Sequence, residues 1–190
     1  GQVAPGVNLG PDRVRVGDRV LLSGPIGDHG ITILLARGEV ELDADLVSDS
    51  RSVWPLVAPL IAADAPALHW LRDPTRGGVA SALNELARDS GLAIVIEEAA
   101  IPVRAPVRAA CELLGLDPLH VANEGQFLAV VAPDQADHLL EILRGTPGGE
   151  QAALIGTIRE QPARTLLAQT PYGGSRVVDL LVGDPLPRIC

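Results

Sequence analysis

Four short stretches hold residue types that could do chemistry. The run Gly183-Asp184-Pro185-Leu186-Pro187-Arg188-Ile189-Cys190 ends in a thiol. Proline fixes its own φ and restricts the residue before it, so two prolines spaced by one residue keep this arm extended, and Gly183 supplies a hinge. A cysteine on the end of such an arm can reach a pocket, including one on another protein, and the arm reads as a carrier. An incidental terminal cysteine has the same sequence, although an exposed free thiol is uncommon. The second stretch is Asp73-Pro74-Thr75-Arg76-Gly77-Gly78. Glycines there let the backbone approach an anion, and a helix N-terminus offers unpaired N–H groups and the positive end of a dipole. A plain strand-to-helix turn uses the same residues, and the G-x-G-x-x-G spacing is absent. The third is Asn123-Glu124-Gly125, where a carboxylate at the mouth of a buried strand would be partly desolvated and suited to proton transfer. A solvated turn looks alike in sequence. The fourth, Gly27-Asp28-His29-Gly30, reads as structural, with Asp28 capping a helix and His29 covering its first turn.

The elements that must position these stretches alternate in type. Residues 18–24 have the length and β-branched bias of a strand ending in a glycine turn. A helix follows Asp28 and stops at Gly38, and a second is expected over 50–63, capped by Ser50 and kinked by Pro59. A short strand over 67–71 leads into the Asp73 loop. The spacing of Val79, Leu83 and Leu86 predicts a helix over 77–90 with Gly91 as its stop. Strands are expected over 93–97, 127–132, 152–158, 164–170 and 177–181, and helices over 105–114 and from 133 to near Arg144. The fold class is α/β (α+β), a mixed sheet covered by helices.

Composition narrows the function. The formal net charge is −9 over 190 residues, and all 15 basic residues are arginines. Without lysine there is no P-loop and no Schiff-base chemistry. An acidic chain with four aromatic residues lacks the positive field and stacking platforms of a nucleic-acid binder. Its longest uncharged apolar stretch, 53–63, is about half of the roughly 20 residues a membrane span needs. Two cysteines make no disulfide framework, which favours a reducing, cytoplasmic location. Cys111, among Val107, Ala110 and Leu114, reads as a core residue; whether it pairs with Cys190 stays open. His29, His69, His120 and His138 show no ligand spacing, so no metal site is expected.

Taken together, Ser23-Gly24-Pro25-Ile26-Gly27-Asp28-His29-Gly30, Arg72-Asp73-Pro74-Thr75-Arg76-Gly77-Gly78-Val79-Ala80, Ala122-Asn123-Glu124-Gly125 and Pro187-Arg188-Ile189-Cys190 resemble the HypE family of hydrogenase maturation factors. The wider superfamily is that of aminoimidazole ribonucleotide synthetase, and the resemblance is to its C-terminal domain. It implies a domain over 19–182, a lead-in over 1–18 that joins it to a preceding domain, and a tail over 183–190. The chain begins at Gly1 without methionine, which fits a piece of something longer.

The resemblance also implies a reaction. The carbamoyltransferase HypF would place a carbamoyl group on Cys190, and ATP would phosphorylate the carbamoyl oxygen. Loss of a proton and of phosphate would leave a thiocyanate for iron held by HypC–HypD. Glu124 would take a proton from the carbamoyl nitrogen, and Asp73, Thr75, Arg76, Gly77 and Gly78 would line the nucleotide or tail channel. Magnesium ligands, most of the ATP site and the homodimer contacts are expected in the preceding domain, so the 190 residues alone are expected to be inactive. Selenophosphate synthetases, thiamine-phosphate kinases and purine cyclo-ligases share a similar glycine-rich loop without needing the cysteine tail. A non-catalytic interaction module is the reading from another class.

Overall fold

The computed structural model describes residue 3, residues 6–38 and residues 45–180. The tail over 183–190, with Cys190, lies outside the described residues. Strands β1 (Arg19–Leu22), β2 (Leu68–Arg72), β3 (Ala93–Glu97), β4 (Leu128–Val131), β5 (Ala153–Arg159), β6 (Leu166–Gln169) and β7 (Ser175–Val177) form one sheet in the order β2-β4-β1-β5-β3-β6-β7. Every pairing is antiparallel except β3 with β6.

The helices are α1 (Asp28–Ala36), α2 (Trp54–Asp64), α3 (Gly78–Ser90), α4 (Ala105–Leu114) and α5 (Ala136–Arg144). Side chains alternate across a strand, so a strand covered on both faces is apolar throughout. All four residues of β4 are buried for that reason. Val20, Leu22, Leu128, Val130, Ile94 and Ile96 face Val79, Leu83 and Leu86 of α3. Leu21, Ala129 and Val131 face Leu56 and Leu60 of α2 and Leu139 and Leu143 of α5. A third cluster joins Ile31 and Leu34 of α1 to Val107, Ala110 and Cys111 of α4. Cys111 is a buried free thiol, pushed up to about 11 by burial and then by the charge of Asp117.

Several sequence-based boundaries change, four of them for reasons the structure shows. Asp28 does not cap α1: Gly27 does, in the left-handed region at φ 87, and Asp28 becomes the first helical residue. Ser50 does not cap α2, which begins at Trp54 after Val53 and holds Pro59 inside it. Helix α5 starts at Ala136 rather than at 133, because the intervening residues form a turn. Strand β7 ends at Val177, where 177–181 was expected, since its pairing with β6 covers only Ser175, Arg176 and Val177.

The segment before β1 packs onto the sheet. Pro11–Arg13 forms a 3-10 turn, the Gly10 amide donates to the His69 carbonyl at 2.9 Å, and Gly17 donates to Ile158 at 2.9 Å. Asp18 Oδ2 meets His69 Nδ1 at 2.7 Å, and both side chains are buried. Burial of such a pair is tolerable because each polar group satisfies the other. Among the described residues no helix is long and apolar enough to cross a membrane.

Candidate functional site

The Asp73 loop leaves β2 and turns into α3 within five residues. Gly77 and Gly78 both have positive φ, at 68° and 63°, which glycine adopts without steric cost. Gly78 needs its missing side chain for a second reason. A Cβ there would sit 2.5 Å from the Leu119 carbonyl oxygen and 2.6 Å from that of Val121. The start of α3 therefore presses directly on the backbone that leads to Asn123. Within the loop, Thr75 Oγ1 donates to Asp73 Oδ2 at 3.1 Å, and the Gly78 amide donates to the Thr75 carbonyl at 3.1 Å.

Asn123 ties three loops together. Its Oδ1 accepts from the Gly27 amide at 2.7 Å. Its Nδ2 donates to the carbonyls of Pro74 at 3.1 Å and Val121 at 2.9 Å. Its own amide donates to Pro74 at 3.2 Å. The side chain is fully buried, so each of these bonds satisfies a group that water cannot reach. Sequence reasoning singled out its neighbour Glu124 and gave Asn123 no role. The available signal was an amide beside a glycine-rich segment, which by itself names no partner.

The next residue, Glu124, is half-buried, and its amide donates to Asp49 Oδ1 at 3.0 Å. Its side chain lines a cleft of about 400 Å³ together with Arg72, Asp73, Thr75, Arg76, Ala82 and Glu85. The sequence-predicted Asp73, Thr75, Arg76 and Glu124 thus share one cleft, while Gly77 and Gly78 form the N-terminal turn of its helical wall. Cys190 lies outside the described residues. Arg72 pairs with Glu85 across the cleft wall. The lining mixes two guanidinium groups with three carboxylates, which suits a charged substrate presenting both phosphate oxygens and donors. Arg76 lines the cleft and directly precedes the N-terminal turn of α3. Among the described residues no group of three or more His, Cys, Asp and Glu side chains could hold a metal ion.

A second cleft of about 430 Å³ takes Asp28, Asp49, Arg51, Arg104 and Gln126 among its lining. Asp28 is buried to 2% exposure, and burial raises its carboxyl to about 6, opposed by Arg104 and reinforced by Asp49. Arg104 Nε lies 3.3 Å from Asp28 Oδ2. Arg51 Nε donates to the Gly125 carbonyl at 2.9 Å, and Ser23 Oγ donates to Gln126 Oε1 at 2.8 Å, so the segment carrying Glu124 is held on both sides. His29 is buried and its Nδ1 lies 2.9 Å from Ser48 Oγ, in keeping with a structural role.

Comparison with known proteins identifies the family of the chain. Residues 15–168 match the family described as AIR synthase related protein, C-terminal domain. The carbamoyl dehydratase HypE of Azotobacter vinelandii is 54% identical over all 190 residues, and the chain covers 55% of that relative. A solved structure of the hydrogenase maturation protein HypE in complex with ATP is 42% identical, with a TM-score of 0.87 over 95% of this chain and 55% of that one. The HypE chain of a solved HypE–HypF complex is 40% identical, with a TM-score of 0.88 over 93% of this chain and 57% of that one. The chain therefore spans about half the length of the relatives it matches. The thiamine monophosphate kinase of Aquifex aeolicus, at 23% identity and a TM-score of 0.59, shares the fold alone. The match over residues 15–168, with HypE proteins as relatives along the full chain, makes this chain a member of the AIR synthase related C-terminal domain family, of the HypE kind.

Proposed function

We propose that the chain is the C-terminal part of an ATP-dependent dehydratase that converts S-carbamoyl-Cys190 into an S-cyanate, the source of the cyanide ligands of nickel–iron hydrogenase. Residues 1–18 would join a preceding domain, 19–182 would form the AIR synthase-related C-terminal domain, and 183–190 would carry the acceptor cysteine. The observation that carries the reading is the single cleft holding Glu124 beside Asp73, Thr75 and Arg76.

The chemistry asks for two things. A carbamoyl oxygen is a poor leaving group, so it must first attack the γ-phosphorus of ATP; the bond from that phosphorus to the β,γ-bridging oxygen breaks and ADP departs. One N–H proton leaves, giving an S-bound imidate phosphate. Removal of the remaining N–H proton then drives its electron pair into the carbon–nitrogen bond as the carbon–oxygen bond breaks, leaving a nitrile and inorganic phosphate. Glu124, one of the three carboxylates that line the cleft, would act as the base. Arg76 would stabilise charge developing on the transferred phosphoryl group, with Gly77 and Gly78 shaping the loop that carries it. Asp73 and Thr75 line the same channel. Magnesium, when bound, would neutralise phosphate charge; its ligands are assigned mainly to residues outside this chain.

HypF would supply the carbamoyl group and HypC–HypD receive the product, with a homodimer as the working unit and the cytoplasm as its location. The test uses the full-length protein with HypF, carbamoyl phosphate and ATP, followed by mass spectrometry of the C-terminal peptide. A carbamoyl adduct on Cys190 that turns into a cyanate, and that is absent from Cys190→Ser, supports the reading. An unmodified tail overturns it.

A further inference from the structure

Residues 48–51 belong to no helix or strand, yet they grip the segment that carries Glu124. Ser48 Oγ lies 2.9 Å from His29 Nδ1, which ties the stretch to the first turn of α1. Asp49 Oδ1 accepts from the Glu124 amide at 3.0 Å. Arg51 Nε donates to the Gly125 carbonyl at 2.9 Å, and its guanidinium reaches Gln126 Oε1 at 3.5 Å. The two segments lie in direct contact. A Cβ on Gly125 would collide with the Asp49 carbonyl oxygen, and one on Gly148 with the Arg51 guanidinium, so glycine at both places leaves room for the approach.

Asp49 and Arg51 line the second cleft and not the one that Glu124 lines. Any effect they have on a group bound beside Glu124 therefore passes through Glu124 itself. Stability gives no account of the carboxylate. Asp49 Oδ2 is buried without a hydrogen-bond partner, and the charge of Asp49 adds to the burial that raises the Asp28 carboxyl. A buried oxygen left unpaired costs stability. We propose that Asp49 and Arg51 are positioning residues for Glu124, the carboxylate fixing the peptide group before it and the guanidinium the one after Gly125. Together they set the direction in which the Glu124 side chain leaves the backbone. The inference rests on the dehydratase reading above, which takes Glu124 as the base. A misplacement of about 1 Å in a reacting group can cost about 100-fold in rate.

The test follows single-turnover conversion to cyanate in the full-length protein carrying carbamoylated Cys190. Asp49→Ala and Arg51→Gln should each convert about 10- to 100-fold more slowly than wild type. The ATP concentration for half-maximal rate should stay unchanged, because neither residue lines the Glu124 cleft. Asp49→Asn keeps an acceptor for the Glu124 amide and should restore most of the rate. In a Glu124→Gln background, where the base is already gone, Asp49→Ala and Arg51→Gln should cause no further loss, since residues that act through one group are not additive. A further loss in that background, a wild-type rate in either variant, a shifted ATP dependence or no rescue by asparagine overturns the proposal. Arg51→Gln carries the same comparison if Asp49→Ala does not fold. If wild type itself forms no cyanate, the dehydratase reading fails, and amide exchange over 123–126 decides the grip separately. Faster exchange in Asp49→Ala or Arg51→Gln then supports it, and unchanged exchange overturns it.

Discussion

Asn123 Oδ1 accepts a hydrogen bond from the Gly27 amide at 2.7 Å, joining two turns that lie 96 residues apart in the chain. The same side chain reaches Pro74, so the loop before α3, the turn before α1 and the segment carrying Glu124 meet on one buried amide.

Replacing Asn123 by Ala should cost about 3 kcal/mol of stability, since it strands the buried Gly27 N–H and removes a donor from the Pro74 and Val121 carbonyls. Urea denaturation should show a lower midpoint with the slope unchanged. An Asn123→Ala protein as stable as wild type would mean that water or a neighbour takes over those bonds.

Gly78→Ala should destabilise more than Gly91→Ala. Both glycines have positive φ, but a Cβ at Gly78 meets the Leu119 and Val121 carbonyl oxygens, whereas nothing lies within 4 Å of one at Gly91. The Gly91 change should cost about 1 kcal/mol from backbone conformation alone. The Gly78 change adds a steric clash and should exceed about 2 kcal/mol. Equal melting temperatures for the two variants would contradict the close packing of α3 on the Pro118–His120 turn.

Asp28→Asn should stabilise the fold at neutral pH. Burial raises the folded-state carboxyl from 3.8 to about 6, so between roughly those values the folded protein holds a proton that the unfolded chain has released. Stability then falls as pH rises through this window and levels off above it, where the ionised carboxylate costs about 2 to 3 kcal/mol. Asparagine removes that cost. The gain should be largest above pH 7 and vanish below about pH 4, as measured by thermal melts across pH. A gain that is flat with pH would assign the effect to packing instead.

Glu124→Gln in the full-length protein should leave carbamoylation of Cys190 intact and cut the dehydration step by about 100-fold or more, the usual share of a positioned base. Mass spectrometry should show the carbamoyl adduct accumulating. If cyanate still forms at the wild-type rate, another group takes the proton.

The 190 residues by themselves should bind ATP weakly, because the chain covers only about half of its relatives and its cleft sets three carboxylates against two guanidinium groups. Isothermal titration should give no micromolar affinity, while the full-length protein binds.

Much of the architecture was legible locally. Helix α4 runs over Ala105–Leu114 and closes on Gly115 in the left-handed region, as its apolar spacing and final glycine predict. The strand-to-helix glycines at Gly77 and Gly78 and the α3 stop at Gly91 were equally readable, since each needs a conformation that glycine adopts cheaply. Boundaries failed where a local signal had a rival. Asp28 looks like a cap by residue type, but the tight approach of Gly27 to Asn123 gives the cap position to the glycine and buries the carboxylate one residue later.

The sequence by itself determined the α/β alternation, the family resemblance and the choice of Asp73, Thr75, Arg76, Gly77, Gly78 and Glu124 as residues worth attention. Periodicity and turn chemistry act over a few residues, so they can be read along a chain. Only the tertiary structure decided that the Asp73 loop and Glu124 face one cleft, that Asn123 holds them there, and that Asp49 and Arg51 lie against the segment carrying Glu124. Those facts depend on side-chain amides, carboxylates and guanidinium groups meeting backbone groups from distant segments. A hydrogen bond across 96 residues leaves no pattern in either stretch, because each partner is an ordinary turn residue until the fold brings the other to it.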